Sequence, residues 1–189
     1  MTYADVLRPS VKKYALLYDV AVVIGGTLFI ALSAQIAVPL PFSPVPVTGQ
    51  TLAVLLTGAL LGSRRGGLCL LTYLAEGIVG LPVFAGGRFG LAHLLGPTGG
   101  YLVGFLAAAY ITGLLAERGW DRRMGTAFLA MLVGNAAIYA FGLSWLSCFT
   151  EAGRALSLGF YPFISGDLLK LTIATILLPS GRRVLGLKG

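Results

Sequence analysis

The chain has 189 residues, of which 57% are hydrophobic and only 11% charged, and its mean hydropathy of +0.87 excludes an ordinary water-soluble domain. The net charge of +7 does not point to nucleic acid, because the basic residues stand at the ends of apolar stretches, where membrane topology accounts for them. One histidine, two cysteines without CxxC or metal-ligand spacing, and no GxxxxGK[ST] loop leave no recognisable zinc site and no route to ATP hydrolysis, so no metal or cofactor is expected.

Eleven of the 14 Lys and Arg residues fall into four clusters: Arg8, Lys12 and Lys13; Arg64 and Arg65; Arg118, Arg122 and Arg123; and Arg182, Arg183 and Lys188. The 50, 52 and 58 uncharged or nearly uncharged residues between them are each enough for two crossings of about 20 residues and a turn. Basic residues near span ends are retained on the cytoplasmic face. The expected architecture is therefore an all-α integral membrane protein, with six transmembrane helices in one compact bundle and both termini cytoplasmic. Residues 1–18 carry Asp5, Arg8, Pro9, Lys12 and Lys13 without the apolar core of a signal peptide, and read as a cytoplasmic juxtamembrane segment.

Span 1 is expected from about Asp19 to Val38, with small residues at Ala21, Gly25, Ser33 and Ala37 whose spacing lets another helix approach closely. That approach suits either this protein's own helices or a partner. Residues 39–48 contain four prolines and read as a stiff outer connection. Span 2 is expected over Gln50–Leu61 and span 3 over Leu68–Val79. Next, residues 80–101 hold seven glycines, more chain than a helical hairpin needs, as in a lid or ligand clamp. Spans 4, 5 and 6 are expected over Tyr101–Ala116, Gly125–Leu146 and Phe163–Leu178. Cys69 and Cys148, in or at the ends of spans, read as packing residues.

Charge inside a span costs a few kcal/mol and usually marks a binding site or ion path. Asp167 and Lys170, three residues apart near the outer end of span 6, share one helix face. They read either as a site or as a mutually neutralising salt bridge. Asn135 and Tyr139 share a face of span 5 and suit either a pocket or an interhelical hydrogen bond. Glu76 suits the outer interface, the pocket or a proton path, in that order. Gln50 either caps span 2 or enters the site. Arg88, in the glycine-rich loop, can fork onto a carboxylate or simply face solvent. With Phe42, Phe84, Phe89, Tyr101 and Phe163 nearby, these groups describe a mostly apolar pocket with a few orienting polar contacts.

The runs Pro41-Phe-Ser-Pro-Val-Pro-Val-Thr-Gly-Gln-Thr-Leu-Ala-Val54, Gly80-Leu-Pro-Val-Phe-Ala-Gly-Gly87, Gly96-Pro-Thr-Gly-Gly-Tyr101 and Gly166-Asp-Leu-Leu-Lys170 together resemble the BioY family, the biotin-specific S components of energy-coupling factor (ECF) transporters. The resemblance implies one membrane-embedded substrate-binding domain over residues 1–189 and a multi-pass location in the cell membrane. It implies high-affinity binding of biotin, and an energising module of one transmembrane coupling subunit and two cytoplasmic ATPases, with self-association left open. It also implies ligand binding by Asp167 and Lys170, with Arg88, Asn135, Tyr139, Gln50, Phe84 and Tyr101 as further candidates. Contact of the coupling subunit with Ala21, Gly25, Ser33 and Ala37 is a further implication. An S component for another vitamin is the runner-up; an intramembrane enzyme using Asp167 or Glu76 is remote, lacking a nucleophile–base pair.

Overall fold

The computed structural model describes residues 2–151, 153–184 and 186; Lys188 of the fourth basic cluster lies outside the described residues. Nine α-helices occur among them: α1 (Tyr3–Val6), α2 (Lys12–Gln35), α3 (Gln50–Leu61), α4 (Ser63–Ile78), α5 (Leu91–Leu94), α6 (Gly99–Glu117), α7 (Met124–Leu146), α8 (Ala155–Gly159) and α9 (Ile164–Val184). Four stretches, Lys12–Gln35, Gly99–Glu117, Met124–Leu146 and Ala155–Val184, are long and apolar enough to cross a membrane. The protein is thus mostly helical and multi-pass.

The two remaining long helices differ from these four. Twelve residues give α3 a length of about 18 Å and sixteen give α4 about 24 Å, short of a hydrocarbon core about 30 Å thick. α3 is sheathed by neighbours, touching α2, α4, α6 and α9, whereas α4 packs on α2, α3 and α6 and leaves Leu68 and Leu71 exposed; α6 lies most extensively against α7. Close approach depends on glycine. A side chain at Gly58 would run into Thr112 and Ala109 of α6, and one at Gly113 into the turn at Gly62 and Ser63. The core these helices enclose contains Val54, Leu55, Leu70, Tyr73, Ala108, Met131 and Leu178.

Three sequence expectations need correction. Residues 39–48 do not merely connect: β1 (Ala37–Val38) and β2 (Val47–Thr48) pair antiparallel, Ala37 opposite Thr48, so the chain is not purely helical. Ala37 accordingly lies beyond the end of α2 and is out of helical register with Ser33. The last helix does not stop at Leu178 but continues through Pro179 to Val184. Proline removes one backbone donor there, and tertiary contacts hold the final turns: Tyr3 Oη donates to the Leu178 carbonyl, and buried Arg182 pairs with buried Asp121 at 2.6 Å.

Among the described residues, the four basic clusters converge at one end of the bundle. Arg65 reaches Asp19 and Asp5, each at 2.8 Å, and Arg8 reaches Asp19 at 2.6 Å. Ser63 donates its backbone N–H and hydroxyl to Glu117. Tyr3 lies under the Arg182 guanidinium, 5.2 Å from ring centroid to Cζ. The proline-rich ribbon, the glycine-rich loop and the segment before α9 cover the other end.

Candidate functional site

Two distant tethers fix the roof at that second end. Phe84 is fully buried against the notch left by Gly77 of α4, stacked edge-on to Tyr73 at 5.6 Å. Around it the chain turns back on itself: the Phe84 N–H bonds the Arg88 carbonyl at 3.0 Å, and Gly86 and Gly87 supply the positive φ (68° and 74°) that the reversal requires. This anchor holds Ala85, Arg88 and His93 at the edge of a cavity. Across the roof, Ser43 Oγ donates to the Leu158 carbonyl at 2.7 Å, and Tyr101 Oη donates to the Gly159 carbonyl at 2.9 Å.

Beneath lies a cavity of about 680 Å³ counted to its open mouth. Phe105, Leu102, Ile138, Phe163 and Val45 give it apolar walls, while Gln50, Arg88, His93, Tyr139, Asp167 and Lys170 supply polar groups. At its polar focus, Asp167 is 6% exposed and accepts from three donors: Lys170 Nζ at 3.1 Å on Oδ1, Asn135 Nδ2 at 3.3 Å on Oδ2, and Tyr139 Oη, also on Oδ2. A buried carboxylate so surrounded is fixed in direction. Asn135 Oδ1 is buried with no partner among the described residues, an unmet acceptor beside the carboxylate.

A second chain of bonds ties floor to roof. Gln50 Nε2 donates to Tyr73 Oη at 2.7 Å, and Tyr73 Oη donates to the Val83 carbonyl at 3.0 Å. Gln50 also lines the cavity. His93 packs on Phe84 at 5.4 Å; burial, and then the neighbouring Arg88 charge, hold its pKa below the ordinary histidine value.

Of the residues singled out from sequence, Gln50, Arg88, Tyr101, Tyr139, Phe163, Asp167 and Lys170 line this cavity. Asn135 stands behind Asp167 rather than on the wall, and Phe84 is a plug in α4 rather than a lining ring, because Gly77 leaves room for it. Tyr101 presents its ring, its hydroxyl being taken by Gly159. Phe42 and Phe89 are 58% exposed and do not line it. Glu76 is half-buried and also absent from the wall. His93, Thr48, Thr51 and Thr98 line it without having been singled out. Only His93, as the single histidine in a glycine-rich outer loop, carried a signal that could have been read.

On α2, Gly25 meets nothing within 4 Å, whereas a Cβ at Gly26 would stand 2.6 Å from Cys69 Sγ. The inward-packing small residue is therefore Gly26, while Ala21 and Gly25 face outward. Cys69 is buried as expected; Cys148 is exposed rather than packed in the interior, its Sγ 3.8 Å from the Ser144 carbonyl.

The model of the BioY family matches residues 8–186. The chain is 38% identical over 170 residues to the biotin transporter BioY of Rhizobium etli, covering 85% of this chain and 88% of that one. It is 43% identical over 153 residues to the probable biotin transporter BioY of Pyrococcus horikoshii, covering 79% and 89%. A crystal structure of the S component for biotin from an ECF-type ABC transporter superposes with a TM-score of 0.81 at 25% identity, covering 92% of this chain and 95% of that one. With a match over nearly its whole length, a shared fold and motifs lying around one roofed cavity, this chain belongs to the BioY family.

Proposed function

We propose that the chain is the biotin-binding S component of an ECF-type vitamin importer and not an enzyme. The observation that carries this is the Asp167–Lys170 couple, braced by Asn135 and Tyr139, opening into a mostly apolar cavity under a loop that carries Arg88. Biotin has two ureido N–H donors, a ureido carbonyl, apolar fused rings and a carboxylate. Asp167 and Asn135 supply acceptors for the N–H groups. Lys170 and Arg88 supply donors for the carbonyl and carboxylate. Gln50, Tyr101 and Tyr139 shape the remaining wall.

The same reading gives six membrane crossings in a single domain, with α3 and α4 as the short pair and α3 packed among α2, α4, α6 and α9. The convergence of the basic clusters supports a cytoplasmic location for that end and for both termini, in the cell membrane. Since the chain has no phosphate loop, energy comes from a coupling subunit and two ATPases. The outward face of α2 at Ala21 and Gly25, continued toward Ser33, is the coupling contact. No cofactor takes part.

Uptake of labelled vitamins into cells lacking their own importers tests this. Cells making the chain with an energising module should accumulate biotin and not riboflavin or thiamine; accumulation of another vitamin instead would overturn the substrate.

A further inference from the structure

A second hollow lies at the basic end, outside the bundle, between α2 and α4. It holds about 1480 Å³ counted to its open mouth. Leu16, Val20, Val23 and Ile24 form one wall, and Leu68 and Thr72 the other. These walls are uncovered: Leu16 is 67% exposed and Leu68 53%. Running from Arg64 to Thr72, the hollow follows α4 for about 12 Å, close to the roughly 15 Å of hydrocarbon in one leaflet.

The polar end of the groove is lined by Arg8, Arg64, Arg65, Asp5, Asp19 and Glu117. Arg8 and Arg65 are engaged by Asp5 and Asp19, and Glu117 by Ser63. Arg64 is exposed and makes no ion pair or hydrogen bond among the described residues. The three acidic groups of the lining are thus already engaged, which leaves Arg64 as the groove's uncompensated charge, and Lys12 and Lys13, outside the lining, open α2 at the same end. An unengaged guanidinium at the head of an open apolar channel, one leaflet deep, complements an amphiphile with an anionic head.

We propose that this groove binds an anionic phospholipid, its phosphate on Arg64 and one acyl chain lying between Val20 and Ile24 of α2 and Leu68 of α4. Occupancy fills the gap beside contacts that already join the two helices, Arg65 with Asp19 and Cys69 with Gly26. The bound lipid thereby sets the position of α2 on the bundle.

The test uses the whole chain in detergent with an equimolar mixture of dioleoylphosphatidylglycerol and dioleoylphosphatidylcholine, with retained lipid counted by native mass spectrometry. The phosphatidylglycerol should be retained preferentially. Arg64→Gln should lower its retention about fivefold, the effect of one basic residue at a lipid surface. Arg123→Gln, an exposed arginine of the same end that does not line the groove, should leave retention unchanged. Unchanged biotin binding by Arg64→Gln reports that the variant is folded. Equal retention of the two lipids, equal losses in both variants, or displacement by millimolar glycerol 3-phosphate, which marks a phosphate site without a chain channel, would each overturn the proposal.

Discussion

Replacing Asp167 separates a ligand-binding couple from a merely neutralising one. Its carboxylate accepts from Lys170 at 3.1 Å, from Asn135 at 3.3 Å and from Tyr139, and the Asp167 and Lys170 side chains are only 8% and 15% exposed. Asp167→Ala leaves an ammonium without its counter-ion and two uprights without an acceptor. Breaking one partner of a buried charge pair costs about 2–5 kcal/mol, so biotin affinity measured by calorimetry should fall by about 30-fold to a few thousand-fold. Part of that loss reflects the stranded Lys170. The double variant Asp167→Ala/Lys170→Ala strands no charge, and removing both members of a buried pair is close to neutral for the fold. Its melting temperature should return toward that of the unaltered chain while its biotin affinity stays low. Recovery of affinity together with stability would refute a direct role for the couple, as would unchanged affinity in Asp167→Ala.

Four further outcomes follow from other parts of the structure. Arg88→Ala should weaken biotin while leaving its methyl ester little affected, because only the free acid offers a carboxylate for the guanidinium to fork onto; equal weakening of both ligands would place Arg88 elsewhere. Gly26→Leu forces a side chain against Cys69 and should lower thermal stability by an overpacking penalty of about 1–3 kcal/mol. Gly25→Leu points into open space, so it should leave stability and biotin binding intact while weakening co-purification with the coupling subunit. For Asp5, burial acts to raise the pKa, but the Thr2 backbone N–H, Arg65 and the Thr2 hydroxyl outweigh it and hold the folded value below 3.8. Its stabilisation is therefore complete above the unfolded value of about 3.9 and lost as pH falls through the folded one. Asp5→Asn should accordingly lower the melting temperature at pH 6, by the equivalent of about 1 kcal/mol or less for a partly exposed pair, with the difference vanishing in stronger acid.

Patterns that depend on the membrane were readable from sequence. Span 2 was expected over Gln50–Leu61, which are the bounds of α3, because basic residues and glycines end apolar runs sharply. Convergence of Arg65, Glu117 and Arg182 at one end follows from the spacing of the clusters. Asp167 and Lys170 stood out because charge in a span is expensive, and helical geometry alone makes them neighbours. The roof was less legible. Arg88 and His93 come to the cavity because Phe84 sits in the space above Gly77 and two glycines reverse the chain, a long-range fit that no local pattern encodes. The ribbon whose ends Ala37 and Thr48 pair also carries Ser43 to Leu158, a residue 115 positions away. Nor does helical spacing tell which of the adjacent Gly25 and Gly26 faces inward; Cys69, on another helix, decides it.

The central claim is that this single chain carries a complete biotin site beneath its outer loops. Calorimetric titration of the purified chain in detergent, without partner subunits, with biotin and with riboflavin as comparator, tests it most directly. The account predicts saturable one-to-one binding of biotin and none of riboflavin. Absence of biotin binding by a folded chain, or equal binding of both vitamins, would contradict it.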